Sequence, residues 1–194
     1  ITDGADEEAD EALRERFYEK VRNPATSGNK HHYRQWALEV PGVGDAKVFP
    51  LDSGDGTLTV LIVDVDKARN PSLEPAVRDY IETVRPIGAT VTVSSPTMRS
   101  VNVSANVILD GTKTLDDVLA MFKSQFTEYL KSLVFVEYRV SYAKIGSLLL
   151  NIEGVQDYDD LRLNNSTGNI IVGEKEIPAM GTVSLEEVHT IAAD

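Results

Sequence analysis

Histidine is the first residue type to examine for chemistry, because its imidazole titrates near neutral pH and binds transition metals. The sequence contains three, His31, His32 and His189. His31 and His32 are adjacent, so on a helix their side chains point about 100° apart and make a poor metal-binding pair. No His-x3-His spacing exists. All three histidines are therefore expected on an exposed loop or helix surface.

Closely spaced carboxylates are the second possibility, because hard cations bind oxygen ligands. Asp64 and Asp66 share one face at the end of a predicted strand, and Asp52 and Asp55 lie in the loop before it. The EF-hand spacing with its closing Glu is absent. Solvated turn carboxylates are the favoured interpretation, and it extends to a second acidic group. That group consists of Asp157, Asp159 and Asp160.

Other catalytic patterns are missing. The glycine-rich runs at 42–44 and 54–56 lack the lysine of a phosphate-binding loop and the GxGxxG spacing, so they are predicted to be turns. There is no GxSxG motif and no cysteine to serve as a nucleophile. Tyr129, Tyr138 and Tyr142 are candidates for surface contacts, but packing in the core is the favoured interpretation. We therefore predict no catalytic, cofactor-binding or metal-binding residue, no cofactor, and no enzymatic activity.

Composition argues against two further classes of function, nucleic-acid binding and membrane binding. The chain has 194 residues, 42% of them hydrophobic, and a net charge of −12 from 19 basic and 31 acidic residues. Duplex-binding proteins carry a basic face, but the longest basic cluster here, 29–34, is short and mixed, so we expect no nucleic-acid partner. No run approaches the roughly 18 apolar residues of a membrane span, so we expect no membrane partner.

The start of the chain suggests its origin. It reads Ile1-Thr2-Asp3-Gly4, without an initiator Met or a signal peptide. We therefore expect a piece of a longer chain. The lack of cysteine fits synthesis in a reducing cytoplasm.

The N-terminal residues favour a helix over 6–22. Its apolar stripe is narrow, the surrounding residues are charged, and Asn23-Pro24 ends it. Two interpretations stay open: packing on its own domain, or contact with a neighbour or a longer upstream element. The stripe consists of Ala9, Leu13, Phe17 and Val21.

The middle of the chain predicts alternating helices and strands. A short helix after residue 29 should turn Tyr33, Trp36 and Ala37 inward. Strands follow over 46–51 and 57–64, then a helix capped by Ser72, then a strand over 90–94.

The C-terminal half opens with the clearest strand, because Val101, Val103, Ala105, Val107 and Leu109 alternate with polar residues. The remaining predicted elements are a helix capped by Thr114 with Asp117 three residues on, a strand over 136–140, a helix capped by Ser141, strands over 158–163 and 170–172, a turn over 178–181 and a last strand over 182–185.

This order indicates an α+β fold with two small mixed α/β modules preceded by an N-terminal helix. The predicted segments are 1–24, 25–97 and 98–194, and a joint near 94–99 would let the modules rotate. Residues 36–45 and 148–157 resemble each other at an offset of 112, each with a helix end followed by Gly-Val-x-Asp. This similarity hints at a related structural unit.

Four stretches in the same order resemble the baseplate J-like family of contractile phage tails. The first is Gly28–Lys30 with Tyr33–Val48, the second is Gly54–Val60, and the third is Val84–Val93. The fourth is Gly154–Asp157 with Leu161–Asn164 and Ile177–Val183. The resemblance covers about residues 25–185. Within the family the sequence is similar to tail proteins of PBSX-type defective prophages.

The resemblance implies a structural component of a contractile phage-tail or prophage-derived baseplate that forms inter-wedge contacts in the baseplate ring. It implies other wedge proteins and neighbouring copies of the chain as partners, and hence an oligomer in the assembled particle. The implied location is the virion tail baseplate, assembled in the bacterial host cytoplasm. The resemblance implies no catalytic residues, so none transfer, and we expect the family's N-terminal region to lie outside this sequence.

Two other functions compete with this one. A receptor- or carbohydrate-binding tail module would need exposed aromatic residues around a groove, and the sequence has one Trp. A cell-wall hydrolase would need clustered carboxylates or a metal site in a cleft. The sequence supplies acidic residues for it but no arrangement of them.

Overall fold

A computed structural model of the protein describes residues 28–188, together with three helical positions, Asp10, Arg14 and Tyr18. The rest of the predicted helix over 6–22, and His189, lie outside the described residues. The α+β prediction is confirmed. The elements in chain order are α1 (Lys30–Leu38), β1 (Val43–Pro50), β2 (Thr57–Asp64), a 3-10 turn (Pro71–Leu73), α2 (Glu74–Val84), β3 (Thr90–Ser94), β4 (Thr97–Leu109), α3 (Leu115–Leu133), β5 (Arg139–Val140), α4 (Tyr142–Leu150), β6 (Val155–Leu163), β7 (Ile170–Ile171) and β8 (Glu176–Glu187).

The described chain divides into two compact units. The first unit contains residues 28–65 and 70–95, and the second contains 66–69 and 96–188. Each unit has its own cluster of buried apolar side chains. The four residues 66–69 belong to the second unit although the residues on both sides of them belong to the first.

The first unit is a three-stranded sheet in the order β1-β2-β3 with two helices packed on it. β1 and β2 are antiparallel, whereas β2 and β3 are parallel. Parallel neighbours cannot be joined by a hairpin, so the chain crosses over through α2. The core between helices and sheet includes Tyr33, Trp36, Val60, Ile62, Val77 and Ile81.

The central strand β2 is more deeply buried than its predicted alternation implied. Val60 and Ile62 face the helices, as expected, but Leu61 and Val63 are also buried, at 3% and 0% exposure. A strand buried on both faces shows a continuous apolar run, and the sequence Val-Leu-Ile-Val over 60–63 is such a run.

The second unit is a three-stranded sheet in the order β6-β4-β8, with a two-stranded ribbon of β5 and β7. β4 is central, antiparallel to β6 and parallel to β8. The long helix α3 packs on β8 and α4 packs on β6. Phe122 and Phe126 stack at 5.6 Å between ring centroids and are fully buried in this core. Among the described residues, no helix is long and apolar enough to cross a membrane.

Three local predictions were wrong. Ser72 does not cap α2; instead its backbone N–H and hydroxyl both donate to the Asn70 side chain, which caps the 3-10 turn. The strand predicted over 136–140 is limited to β5, because Phe135 has a φ of 60° and Val136 is 71% exposed. The turn predicted over 178–181 is part of β8.

Pro178 explains the last of these errors. Proline has no N–H for a ladder and usually marks a turn, but it is tolerated in an edge strand. β8 is an edge strand, and Pro178 pairs with Arg99 of β4. Gly181 and Thr182 then form a bulge opposite Asn102, whose Oδ1 accepts a hydrogen bond from the Thr182 N–H at 2.8 Å.

The similarity between 36–45 and 148–157 corresponds to one repeated local structure, in which a helix ends and an edge strand begins. Gly42 and Gly154 have φ values of 93° and 98°. Both turns make matching backbone hydrogen bonds at an offset of 112. Each strand carries a bulge directly after its first valine. In both, the next residue is an aspartate whose Oδ1 accepts from the following N–H at 2.8 Å; these are Asp45 and Asp157.

The bulge residue Gly44 gives the first prediction. A Cβ at this position would collide with backbone, the Asp64 carbonyl oxygen and the Val65 Cα. Because backbone cannot move aside as a side-chain end can, Gly44→Ala should lower the free energy of unfolding by about 2 kcal/mol. Gly168→Ala is the matched control, since the nearest atom to the new methyl group would be the Ser166 Oγ at 3.7 Å. The two variants are compared by urea denaturation. Equal unfolding midpoints would contradict this prediction.

The start of α3 gives the second prediction. Thr114 and Asp117 form a capping box, and hydrogen bonds from the Thr114 hydroxyl and N–H lower the pKa of Asp117. A folded-state pKa below the unfolded value of 3.8 means that this stabilisation is present above that pH and is lost as pH falls through the folded-state pKa. Asp117→Asn should therefore destabilise the protein at pH 7 and flatten its loss of stability in acid.

The control for this prediction is Asp116→Asn, an exposed carboxylate in the same turn. Urea midpoints of the two variants should be compared at pH 7 and near pH 3. Equal behaviour of the two variants at both pH values would show that the capping box contributes nothing. Thr114→Ala should cost about 1 kcal/mol at neutral pH.

Candidate assembly surfaces

The two described histidines have structural positions. His32 stacks on Trp36 at 3.9 Å between ring centroids, and its Nδ1 accepts from the Gly28 N–H at 3.3 Å. It therefore helps to fix the start of α1 beside the Asn29 side chain, which caps the helix. His31 is partly exposed. These contacts tie the imidazole of His32 to packing rather than to a ligand.

The acidic residues of the first group are dispersed. Asp52 accepts a hydrogen bond from the Thr59 hydroxyl at 2.7 Å, and Asp55 is exposed in the loop. β2 ends at Asp64, whereas Asp66 lies in the second unit and pairs with Lys131 at 3.8 Å. Within the described residues, no group of three or more His, Asp or Glu side chains is placed to hold a metal ion. The prediction of no metal or cofactor stays a prediction.

The second acidic group shapes strand β6. Asp157 and Asp159 each accept from the next backbone N–H, and Asp160 pairs with Arg162 at 2.6 Å. Asp160 has a φ of 48° and lies where the register with β4 shifts. The positive φ is uncommon outside glycine and is most tolerable for Asp and Asn. This acidic run is thus explained by the bulges of an edge strand.

Two of the three tyrosines considered for surface contacts bind backbone inside their own unit. The Tyr129 hydroxyl accepts from the Ser141 N–H at 3.0 Å, and the Tyr142 hydroxyl donates to the Leu161 carbonyl at 2.9 Å. Burial raises the pKa of Tyr142. Tyr138 is half-buried. Trp36 is only 7% exposed and meets Tyr33 edge-on. The one tryptophan is therefore not available as a sugar-stacking platform.

The described residues of the first unit form a cleft. It holds about 370 Å³ and is formed by the start of α1, the β1–β2 loop and the α2–β3 loop. Leu51 and Ile87 stand at its edge, at 62% and 104% exposure. We call it the glycine cleft, after Gly28, Gly56 and Gly88, all of which have positive φ.

The Tyr33 ring also lines the glycine cleft while remaining 98% buried overall, since its exposure is 2%. Burial is the main cause that raises the pKa of Tyr33. The wall of the cleft is thus mostly apolar. It also includes the backbone of its three glycines and one tyrosine, Tyr33. The residues that line the cleft include no paired acid and base.

A second, smaller groove lies in the second unit and holds about 150 Å³. Its floor is apolar and includes Leu130, Val134 and Ile177, all at most 3% exposed. Met98 and Met180 flank it at 62% and 41% exposure. We call it the methionine groove. Flexible thioether side chains adapt to many apolar partners and are common on protein-binding surfaces.

Comparison with known proteins identifies the family. The model of the baseplate J-like central domain matches residues 25–95, and that of the baseplate J-like C-terminal domain matches residues 101–186. The chain belongs to the baseplate J-like family. The two matches together cover most of the sequence, so the resemblance seen in its motifs is confirmed. The chain is thus a baseplate-like structural protein of a phage or prophage tail.

Two curated relatives agree with this assignment. The chain is 35% identical over 192 residues to the phage-like element PBSX protein XkdT of Bacillus subtilis (strain 168), and 30% identical over 195 residues to the baseplate protein gp47 of Escherichia phage Mu. These alignments cover 95% and 93% of this chain but 55% and 52% of the relatives. The chain therefore spans about half the length of the curated relatives it matches.

The fold is also similar to that of a chain in the cryo-EM structure of the anti-feeding prophage baseplate. The TM-score is 0.63 at 15% identity, over 89% of this chain and 42% of that chain. At this identity the likeness concerns the fold alone. It extends over both units of the baseplate J-like chain, since 89% of the sequence is aligned.

Sequence reasoning missed both concave surfaces, because their walls come from segments far apart in the chain. One local signal was present. Ile87 is a large apolar residue inside a turn, between Pro86 and Gly88, where burial is hard to achieve. Together with Leu51 on the same cleft, Ile87 forms an exposed apolar patch of the kind that marks contact surfaces.

Ile87 gives the third prediction. Its side chain is fully exposed, so Ile87→Asp should change the free energy of unfolding by less than about 0.5 kcal/mol. Ile81→Ala in the same unit is the matched contrast, because Ile81 is completely buried and its truncation should cost about 2–5 kcal/mol. Thermal unfolding of both variants tests this difference. A large destabilisation by Ile87→Asp would show that Ile87 serves the fold rather than a contact.

Proposed function

We propose that this chain is a structural part of a phage or prophage baseplate in which it forms inter-wedge contacts of the baseplate ring, without catalytic activity. The observation that carries the proposal is the pair of adjoining family matches, to the central and C-terminal domains, over residues 25–95 and 101–186. Its partners would be the other wedge proteins and neighbouring copies of itself. The implied location is the tail baseplate, after assembly in the bacterial host cytoplasm.

The described surfaces support a role in assembly. Each unit carries a concave apolar surface flanked by large exposed apolar side chains, the glycine cleft and the methionine groove. Exposing Ile87, Leu51 and Met98 to water is unfavourable unless a partner covers them. An assembly protein gains from such surfaces, because apolar contact is the main favourable term in most protein association.

We further propose that the chain acts as two domains, 25–97 and 98–194, joined near 94–99, which can rotate against each other. The presence of one separate apolar cluster in each unit supports this division. Pro96 lies in the joint between β3 and β4 and interrupts strand pairing there. Rotation of rigid modules about a short connection is a common way for assemblies to change state.

The domain division is tested by calorimetry of the whole chain. Ile81→Ala should lower the melting temperature of one transition and Phe126→Ala that of another, because the two side chains lie in different cores. Two separately shifting transitions are the expected result. A single transition moved equally by both variants would contradict the independence of the two domains.

The assembly role is tested by sedimentation velocity of the purified chain, alone and mixed with the other baseplate proteins of the particle that encodes it. We expect a stable co-complex, or self-association that grows with concentration. Ile87→Asp should weaken the complex about tenfold, and Val136→Asp, which lies outside both concave surfaces, serves as the control. A strict monomer that ignores every baseplate protein would oppose the proposal.

A further inference from the structure

The outer strands of a sheet carry backbone N–H and C=O groups without partners, and proteins usually protect them with charged residues, prolines or bulges. Three of the four outer strands in the two three-stranded sheets follow this rule. β1 and β8 each contain a bulge and a proline, Pro50 and Pro178. β6 contains two bulges and three aspartates. The fourth, β3, reads Thr-Val-Thr-Val-Ser and pairs with β2 without a register shift, so it has none of these protections.

The hydrogen bonds of β3 show which of its backbone groups face outward. The Thr90 N–H donates to the Gly56 carbonyl, toward β2, at 2.7 Å. Because the directions of the N–H and C=O groups alternate along a strand, Val91 and Val93 direct theirs away from β2. β3 is the last strand of its sheet, and no other strand of the described chain pairs with this outer side.

Side chains of α2 bound this outer edge at both ends. At the N-terminal end Arg85 donates to the Ala89 carbonyl, and at the C-terminal end Glu74 accepts from the Ser95 N–H at 2.8 Å. Arg85 is also paired with Glu82 at 2.7 Å, which offsets part of its charge. The edge therefore has a basic residue at one end and an acidic residue at the other.

This arrangement is self-complementary about a two-fold axis through Thr92. When two copies of β3 run antiparallel with Thr92 opposite Thr92, Val91 of each copy lies opposite Val93 of the other. These are the hydrogen-bonded positions of an antiparallel ladder, so the outward N–H and C=O groups of all these valines are paired. The same axis brings Arg85 of one copy to the end where Glu74 of the other copy lies, so the two ends have complementary charge.

The side chains of β3 suit the same pairing. Val91 and Val93 are half-buried against the core of their unit, and a second β3 would cover more of their surface. Thr90 and Thr92 point to the opposite face and are exposed. Threonine opposite threonine is a favourable pair across two antiparallel strands.

We propose that the outer edge of β3 pairs with β3 of a second copy of this chain, antiparallel and centred on Thr92, so that two three-stranded sheets join into one six-stranded sheet. The proposal rests on the proposed function and deepens it by naming a surface used between copies. A strand of another protein would satisfy the same backbone groups, but only a second copy brings Arg85 and Glu74 together at both ends by symmetry. The edge therefore favours a second copy as its partner.

The sequence has no cysteine, so one introduced cysteine reports this contact in the full chain. In the proposed pair the two Thr92 Cα atoms are about 4.5 Å apart, within the range of a disulfide. Thr92→Cys should therefore give a disulfide-linked homodimer under mild oxidation, measured by mass spectrometry. The matched control is Thr90→Cys, exposed on the same face of the same strand, because its two copies would lie about 14 Å apart. We expect Thr92→Cys dimers to form at least about tenfold faster.

A mixed experiment tests the register of the pair. Thr90 lies opposite Ser94 of the second copy, so Thr90→Cys mixed with Ser94→Cys should form linked heterodimers. These heterodimers should form at least about tenfold faster than homodimers of either variant, because each residue is far from its own copy across the axis.

Charge provides a measurement that needs no oxidation. Thr92→Lys places two ammonium groups opposite each other and should weaken self-association in sedimentation velocity at least about fivefold. Thr90→Lys is the control, since it faces the uncharged Ser94 of the second copy, and it should change association less than about twofold. Lysine is well tolerated on an edge strand, so both variants should fold. Added salt should reduce the difference between them.

Three outcomes would overturn the pairing proposal. The first is equal rates of dimer formation by Thr92→Cys and Thr90→Cys, and the second is equal self-association of Thr92→Lys and Thr90→Lys. The third is amide hydrogen exchange at Val91 and Val93 that slows only when another baseplate protein is added, which would assign the edge to that protein. If the chain still forms complexes with baseplate proteins, the proposed function stands and the pairing proposal alone fails.

Discussion

The fold depends on a tight reversal that each unit uses to pass from a helix into the edge strand of its sheet. Gly42 and Gly154 adopt positive φ, a valine begins the strand, and a bulge follows at once. A residue with a Cβ is strained in this conformation, and the bulge brings Gly44 against the backbone of β2. The reversal fixes which face of the strand meets its own helix, and thereby the position of the core.

An ion pair reinforces this reversal in the first unit. Asp45, directly after the bulge, accepts from the next backbone N–H and also pairs with Arg34 of α1 at 2.9 Å. Arg34 donates in addition to the Ala46 carbonyl at 3.1 Å. In the second unit Gly146 occupies the equivalent position to Arg34, and the Tyr158 side chain lies against it. The same turn is thus held by charge in one unit and by close packing in the other.

Sequence reasoning succeeded where the determining contacts are local. The inward residues Tyr33, Trp36 and Ala37 of α1, the Thr114 capping box and the alternation of β4 follow from spacing within a few residues, and the structure contains all of them. It failed where residues far apart in the sequence determine how strands pair. The parallel partners β3 and β8 cannot be read from their own residues, and Pro178 suggested a turn because nothing local showed that its strand lies at a sheet edge.

The candidate surfaces were less predictable than the fold, because three or more separate segments meet in each of them. Several side chains that were considered as metal ligands make local structural contacts. His32, Asp157, Asp159 and Asp160 are each occupied in holding a helix start or a strand bulge. Ile87 and Met98 are large apolar side chains that nevertheless remain exposed. A protein with this surface and with two compact cores is suited to being covered by partners.

The central claim, that this baseplate J-like chain is a structural part of the baseplate, is tested most directly by cryo-EM of the particle whose genome encodes it. The account predicts density in the baseplate ring into which the two units fit as separate bodies, with the exposed Leu51, Ile87, Met98 and Met180 covered by neighbouring chains. A baseplate without density for these units, or one in which these side chains face solvent, would contradict it.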